Sequence, residues 1–444
     1  MKIILNKIKT QRRYRLLLSC LLILIAFFIA TDFQPIGRKK TKKLVIGAFT
    51  GSYWDLQNGY AYKILDEAIE EYKKENPEVE VEYVSGITRD DYQEWLAEQM
   101  AQGKMPDVFF VPSDDFSNFA QIGAMMNLNV FIKKDKDFHL ENFYKKTLQS
   151  GSYKNVQYAL PYECAPTLMM VNKTLLREKE VKLSGKEWTW GDFYNACEKV
   201  GRQLEADTDQ YGVINYGWQD AFAANNVKLF NSKGTECDFT SANIYEAILF
   251  LERLSKLPQG RVTSAMDFYK GRVAFEPMLF SEYRAYISSE FSAQNYADFD
   301  WSYTTMPAGT SGKNISRLDT LNVAMYSETR NPKEAWEFMK VLTASEKIQS
   351  KIFDYSEGIS PLINVTEDPQ IAAHVKESYG VTLDRDVISY AMENAVTDVK
   401  FNSYHDAETE VSSAVNSILD AKTNIQMEQI IWNRRINSYL KKIK

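Results

Sequence analysis

Between Leu44 and Val111 short apolar runs alternate with amphipathic helical patterns, and that alternation constrains the fold more than any other feature of the chain. Leu44–Phe49 has the length of a strand and ends in Thr50-Gly-Ser-Tyr-Trp-Asp55. Ala61–Asn76 follows helical spacing, with Ile64, Leu65, Ala68, Ile69 and Tyr72 on one face and Pro77 ending the run. Val79–Val84 alternates as a strand does, and Asp91–Gln102 is a second amphipathic helix closed by Gly103. Asp107–Val111 reads as a buried strand followed by Pro112-Ser-Asp-Asp115. Strand, helix, strand, helix, strand in this order predicts a parallel sheet covered by helices. Ligands of such sheets bind beyond the carboxyl ends of the strands, which selects Tyr53, Trp54, Asp114 and Asp115.

The same style continues in a chain of 444 residues, more than one hydrophobic core usually organises, so two domains or lobes are expected. Gln157–Pro161 and Leu168–Val171 read as two strand-like runs and Tyr211–Ile214 as another. Thr189, with Asp192 three residues on, is placed to cap a helix opened by Trp188-Thr-Trp-Gly-Asp-Phe193. Ser241–Leu257 is a helix with Ile244, Ala247, Ile248, Leu251 and Leu254 inward. Trp336–Leu342 lies in a helix started after Asn331-Pro332, and the chain from Pro369 onward is mostly helical in pattern.

The formal charge of −6 is unevenly spread. Residues 1–43 hold eleven Lys/Arg against one Asp, leaving −16 for the remainder. An acidic body repels phosphate backbones, so nucleic acid is not an expected partner. Residues 1–15 are a basic segment, followed by the apolar run Leu16–Ala30. That arrangement is an export signal, with the basic end cytoplasmic and everything after it outside. Fifteen apolar residues fit either a cleaved signal or a short anchor. The weak cleavage pattern, with Phe28 two residues before Ala30, favours the anchor. Leu17-Leu-Ser-Cys20 has the look of a lipoprotein box, but ten apolar residues follow Cys20 where a lipidated cysteine would end the run. Residues 31–43 read as a polar, basic linker beside the membrane. Cys164, Cys197 and Cys237 form no disulfide framework and no CxxC pair; one bridge or buried free thiols are both compatible with the spacing.

Several segments, in order, carry a resemblance. Ala101-Gln-Gly-Lys-Met-Pro-Asp-Val108 is similar to an A-x-G-x-x-P-D-V segment, and Phe119–Leu128 to A-x-x-G-x-L-x-x-L. Tyr158-Ala-Leu-Pro-Tyr-Glu163, Val171-Asn-Lys-Thr-Leu-Leu176 and Glu187–Phe193 resemble G-x-P-Y, Y-N-K-x-L-F and T-W-x-E-F. Tyr269–Phe275 resembles F-x-x-G-x-x-A-M, and Asn331–Thr343 the late A-W-x-F-x-x-x-L-T helix. The chain resembles the extracellular solute-binding proteins of family one, the sugar-binding group serving ABC importers, over roughly 44–365. It departs from that pattern at Ser316–Leu321, which lacks the usual Gly-Gly pair, and at Ala159 and Val171. The resemblance implies an α/β, two-lobed periplasmic-binding-protein-like fold of type II, each lobe a mostly parallel sheet flanked by helices. One lobe would combine 44–157 with 306–357, the other 158–305 with 358–444, and they would close on ligand by hinge motion. It further implies a small carbohydrate ligand, an oligosaccharide, and ABC permease subunits as partners; a monomer is expected, held to the membrane by its N-terminal run, which departs from the family's usual lipidated cysteine. No cofactor and no metal are expected.

A sugar presents C–H faces that aromatic rings cover and hydroxyl edges that charged groups hydrogen-bond. Candidate rings are Tyr53, Trp54, Tyr162, Trp218 and Phe280; candidate polar groups are Asp114, Asp115, Glu163, Glu276 and Arg317. Each has a structural alternative. Asp114 and Asp115 suit a helix cap, Glu276 and Phe280 suit surface and core, Arg317 can pair with Asp319, and Trp188, Trp190 and Trp336 suit packing. Three histidines without HExxH spacing, and no GxSxG or Walker loop, leave no enzyme signature beyond an unspecified pair of carboxylates. A co-receptor for a membrane sensor, or a receptor for polyamines, would use the same fold and similar residue types.

Overall fold

Parallel pairing begins with β1 (Lys42–Gly47), two residues ahead of the strand expected at Leu44. It is followed by α1 (Lys63–Glu75), β2 (Val79–Tyr83), α2 (Arg89–Ala101), β3 (Val108–Val111) and α3 (Ser113–Gln121). β1 pairs in parallel with both β2 and β3, the sheet that the alternation predicts. α1 buries the five apolar residues of its predicted face, and Thr88 caps α2 by accepting from the Asp91 N–H at 3.2 Å. This computed structural model describes residues 42–54, 60, 62–201, 210–231, 233–257, 267–268, 270–288, 299–397, 401, 404–421 and 424–442. The apolar run 16–30, the basic segment before it, Cys20 and the linker up to residue 41 lie outside the described residues.

A small hairpin of β4 (Ser152–Tyr153) and β5 (Val156–Gln157) leads into β6 (Ala159–Asn172). β6 is fourteen residues long and buried throughout; the two separate runs expected at 157–161 and 168–171 are parts of this one strand. Beyond it come α4 (Trp190–Gly201), β7 (Tyr211–Val213), α5 (Trp218–Ala224), α6 (Ala242–Ser255), β8 (Val273–Leu279), α7 (Phe280–Ser288) and β9 (Trp301–Thr304). β10 (Leu318–Met325), α8 (Pro332–Ala344), α9 (Pro369–Tyr379), α10 (Arg385–Glu393), α11 (Tyr404–Ala421) and α12 (Ile425–Lys442) complete the chain.

The strands follow the order β2-β1-β3-β10-β6-β8-β7, with β9 also on β6. β6 changes partners along its length: residues 159–166 pair antiparallel with β10, and 167–171 with β8. Pro161 and Pro166 lack an N–H to donate. Pro161 adjoins an irregularity in the β10 ladder, and Pro166 sits where β10 gives way to β8, so both occupy places where ladder bonding is already interrupted.

Two hydrophobic cores meet at this strand. Leu168 and Met170 belong to the core shared with β1–β3, while Met169 and Val171 belong to a second core with α4, α6, α11 and α12. The two-residue period of a strand thus sends alternate β6 side chains into different cores. Thr189 and Asp192 form the reciprocal cap expected of them: Asp192 Oδ2 accepts from the Thr189 N–H at 2.9 Å and Thr189 Oγ1 from the Asp192 N–H at 3.2 Å. Trp188 is buried with Nε1 donating to Thr305 O at 2.8 Å; Trp190 stacks on Phe250 with centroids 4.3 Å apart. Trp336 is core. Cys164, Cys197 and Cys237 are buried free thiols.

Gly212 in β7 shows how closely α4 lies on the second sheet. A Cβ there would stand 2.5 Å from Cys197 Cβ and 2.7 Å from Cys197 Cα. Gly212→Ala is therefore expected to lower unfolding stability by about 1–3 kcal/mol through overpacking. Urea unfolding measures this, and a midpoint equal to that of the parent would contradict the packing described.

Candidate functional site

A bulge in β6 organises one part of the site. Leu321 of β10 faces Glu163, and Asn322 faces Pro161, leaving Tyr162 as the extra residue. Bulges re-aim side chains near binding sites. Glu163 is 3% exposed, and Ser356 donates its hydroxyl proton to Oε2. The Trp54 indole lies beside it: a Cβ on Gly358 would be 2.7 Å from Glu163 Oε2 and 3.1 Å from Trp54 Nε1, so only glycine fits between them. The indole N–H exerts a favourable pull on the carboxylate without completing a hydrogen bond of good geometry.

The backbone at 353–358 is held by Arg284 of α7, which donates to Gly358 O and, at 2.8 Å, to Phe353 O. Ser52 Oγ donates to Glu357 Oε2 at 2.8 Å, and Cys164 and Ile359 exchange backbone hydrogen bonds of 3.0 and 2.8 Å. The β1 loop, β6, α7 and 353–359 are thereby tied together around two acids and one arginine. Burial pushes the Glu163 carboxyl up to about 7; the Ser356 hydroxyl, Trp54 and Arg284 oppose that rise, and Glu357 adds to it. Burial likewise brings the Arg284 guanidinium down to about 10, with Glu357 and Glu163 resisting. Tyr53, Tyr162 and Glu163 line a small cavity of about 60 Å³, together with Tyr60, Tyr62 and Tyr355.

Tyr53 connects this cavity to a larger one. Its hydroxyl donates to Asp319 Oδ1 at 3.1 Å and accepts from the Ser113 N–H at 3.2 Å, and Arg89 lies 5.2 Å over its ring. Asp319, Asp114 at the first turn of α3, and Arg317 belong to the wall of a cleft of about 1010 Å³. The opposite wall includes Lys233, Tyr404 and Glu408. Arg317 pairs with Asp220 at 3.2 Å, in place of the Asp319 partner considered from sequence. Asp220 is 5% exposed and its other oxygen accepts from the Gly217 N–H at 3.1 Å, so it both caps α5 and positions Arg317. Burial raises the Asp220 carboxyl and Arg317 holds it down.

Arg317, Tyr404 and Glu408 also face a second chamber of about 930 Å³, where Trp218 stands with Phe230. Trp218 is half-buried and its Nε1 donates to Ser412 Oγ of α11 at 3.0 Å.

Four sequence candidates stand apart from these walls, and Trp54 is the first: it is 7% exposed and packed edge to face on Tyr53 with centroids 4.7 Å apart. Asp115 is turned inward, accepting from Gln93 of α2, and burial pushes it up to about 6 while its neighbour Asp114 faces the cleft. Glu276 on β8 accepts from Asn215 Nδ2 at 2.8 Å, and its Oε2 is buried with no hydrogen-bond partner. Burial pushes it up to about 7, with Asn215 opposing, so the group is mostly a neutral acid only below that pH. Phe280 is 0% exposed in a cluster with Tyr283 and Tyr303, centroids 5.4 and 5.2 Å away, and is a core residue rather than a cleft ring. Sequence reasoning missed Asp220, Tyr404 and Glu408. Asp220 carried a signal, an acid three residues after Gly217 at a helix start. Tyr404 and Glu408 carried none, since only the tertiary fold brings α11 to the cleft. Among the described residues no group of three His, Cys, Asp or Glu could hold a metal ion, and no helix is long and apolar enough to cross a membrane.

The raised carboxyls give stability a definite pH dependence. Folded Glu163 keeps its proton to about pH 7, whereas its ordinary value is 4.5. Between these values the folded state binds more protons, so this contribution is full below pH 4.5 and lost as pH rises through about 7. Glu163→Gln, neutral at every pH and still an acceptor for Ser356, is expected to remove about 1–3 kcal/mol of the stability lost between about pH 5 and 8. Equal losses in variant and parent, measured by chemical unfolding at the two pH values, would contradict this.

The matching family is described as bacterial extracellular solute-binding protein, and its model matches residues 57–348. A galactooligosaccharide-binding protein of Bacillus subtilis (strain 168) is 22% identical over 285 residues, covering 61% of this chain and 63% of the relative. The chain thus spans about three fifths of the length of the curated relatives it matches. An ABC substrate-binding protein from Listeria monocytogenes in complex with cycloalternan superposes with a TM-score of 0.66 at 18% identity, covering 90% of this chain and 99% of that one. A cyclic alpha-maltosyl-1,6-maltose binding protein from Arthrobacter globiformis superposes with a TM-score of 0.74 at 14% identity, covering 90% and 99%. At these identities the structural likeness speaks to the fold, which is the two-lobed α/β architecture expected from the sequence. With the family model spanning well over half of its length, this chain belongs to the bacterial extracellular solute-binding proteins.

Proposed function

We propose that this protein is an extracytoplasmic receptor that captures a small carbohydrate, an oligosaccharide, in the cleft between its lobes and delivers it to an ABC importer. The observation that carries this reading is the composition of the cleft: Asp114, Asp319, Glu408 and Arg317 stand with Tyr404 around about 1010 Å³, and the adjoining chamber adds Trp218 and Phe230. Rings that cover sugar faces and charged groups that bond hydroxyls at about 1.5–3 kcal/mol each are the means of holding a saccharide. The sugar-binding proteins that share the fold, and the galactooligosaccharide-binding relative, support the same reading.

Lys154, Lys233 and Arg317 share the cleft with the acids, which argues against polycations as the natural ligand despite the acidic body. The reading is one of binding without chemistry: the sugar is released unaltered. An N-terminal anchor would hold the receptor at the outer face of the membrane. The same fold would serve a sensor co-receptor, and the difference lies in the partner: loss of uptake on deletion supports import, and intact uptake with lost induction supports sensing.

Thermal unfolding against mono- and oligosaccharides, polyamines and amino acids tests the ligand class, because a ligand of the native state raises the melting temperature. A rise with saccharides, which are recovered intact, is expected; a rise with polyamines alone, or cleavage of the sugar, would overturn the reading. Trp218→Ala should weaken the saccharide that raises the melting temperature about tenfold, the loss of one ring contact of roughly 1–2 kcal/mol, with little change in the unliganded melting temperature. Calorimetric titration with unchanged affinity would remove Trp218 from the site.

A further inference from the structure

The chamber beside Trp218 has a property that the cleft does not share. Among the described residues its wall comes, apart from Arg317, from 218–240, 396–397 and the C-terminal helices α11 and α12, and not from β1, β2, β3 or the helices between them. The cleft, by contrast, takes Ser113, Asp114 and Phe116 from α3 as well as Lys233, Tyr404 and Glu408 from the other side. If 158–305 and 358–444 move as one lobe, closure would reshape the cleft and reach the chamber only at Arg317. The two spaces adjoin, since Arg317, Thr397, Tyr404 and Glu408 border both. At about 930 Å³ the chamber is as large as the cleft at about 1010 Å³, and each falls near the top of the range that holds a whole drug-sized ligand, about 300–1,000 Å³.

Its chemistry is that of a second saccharide-binding space. Phe230 and Tyr404 pack edge to face with centroids 6.0 Å apart, and both pack on Phe401 at 5.2 and 5.4 Å, so the aromatic wall is fixed by its own contacts. Trp218 is held by Phe222 at 5.2 Å and by Ser412. Glu236, Asp238 and Glu408 supply acceptors around these rings. The floor is stiffened by α12: Asn437 donates to Cys237 O at 2.8 Å and accepts from the Cys237 N–H at 3.0 Å, while Asn433 Oδ1 accepts from the Phe239 N–H at 2.8 Å. A rigid pocket of this kind loses little entropy when it is filled.

We propose that this chamber is a second, closure-independent subsite, which receives one end or a branch of an oligosaccharide whose remainder lies in the interlobe cleft. The inference rests on the carbohydrate reading above and refines it: the ligand is longer than the cleft alone accommodates, and one end docks before the lobes close. Arg317 stands at the junction, where a ligand passing from one space to the other must meet it.

The test fills the chamber without touching the cleft. Ala223→Phe and, independently, Gln219→Trp add bulk at its α5 wall, and unliganded melting curves report whether each variant folds. The full chain and both variants are titrated calorimetrically with gluco-oligosaccharides and galacto-oligosaccharides of two and six units. The parent is expected to bind a six-unit ligand at least about tenfold more tightly than its two-unit counterpart. Each folded variant is expected to lose about tenfold for six units and less than about twofold for two, each tenfold being 1.4 kcal/mol. Equal affinity of the parent for both lengths, equal losses at both lengths, or no loss in either folded variant would each overturn the subsite and leave the carbohydrate reading intact. Binding of neither series by the parent would overturn the carbohydrate reading, and the subsite with it.

Discussion

The rest of the structure depends on one strand. β6 runs for fourteen buried residues, pairs with β10 in its first half and with β8 and β9 in its second, and sends alternate side chains of its second half into two cores. A strand of that length, at about 3.3 Å per residue, spans two sets of partners, and it fixes both ends of the eight-stranded sheet in one frame. The ladder bonding is weakest where a change is needed: at the bulge beside Pro161 and at Pro166, where the partner changes. Residues that line the two cavities lie on or against these interruptions. Glu163 follows the bulge, and the Arg317 backbone carbonyl accepts from the Thr167 N–H at 2.8 Å, just past the second proline.

Around that strand, buried charge is used in two different ways. Glu163, Glu357 and Arg284 tie the β1 loop, α7 and 353–359 together, and an isolated ion in this position would be prohibitively costly. The compromise is a carboxyl raised to about 7, neutral or charged at little expense, with a guanidinium lowered to about 10 beside it. Asp220 instead remains in reach of Arg317 and of a helix N-terminus, and it holds the guanidinium of a cleft-lining residue. One cluster builds the joint between elements, the other positions a charged side chain on the cleft wall.

What was legible in the sequence was local. The β1-α1-β2-α2-β3 succession, the faces of α1 and α6 and the Thr189–Asp192 cap all follow from periodicity and helix-start chemistry within a few residues. The unity of β6 was not legible, because two prolines and a glutamate interrupt its apolar pattern, and its partners Leu318–Met325 and Val273–Leu279 are more than 100 residues away. The strand-end rule located Tyr53, Trp54 and Asp114 near cavities, but it could not tell a residue on the wall from one turned inward. Asp115 and Phe280 are separated from cleft-lining residues by one helical step or by a ring cluster that only packing reveals. The contribution of α11 to both spaces depends on contacts between residues 218–240 and the end of the chain, which no short-range pattern encodes.

The central claim is that the lobes, joined through β6, close over a saccharide. Probes at Lys154→Cys and Lys233→Cys, exposed side chains that line the cleft from the segments 44–157 and 158–305, would report their separation by fluorescence energy transfer, the remaining described cysteines being buried. The account predicts that the distance shortens on saturation with a saccharide that binds, and returns when the sugar is removed. A distance that stays the same while calorimetry shows the saccharide bound would contradict it.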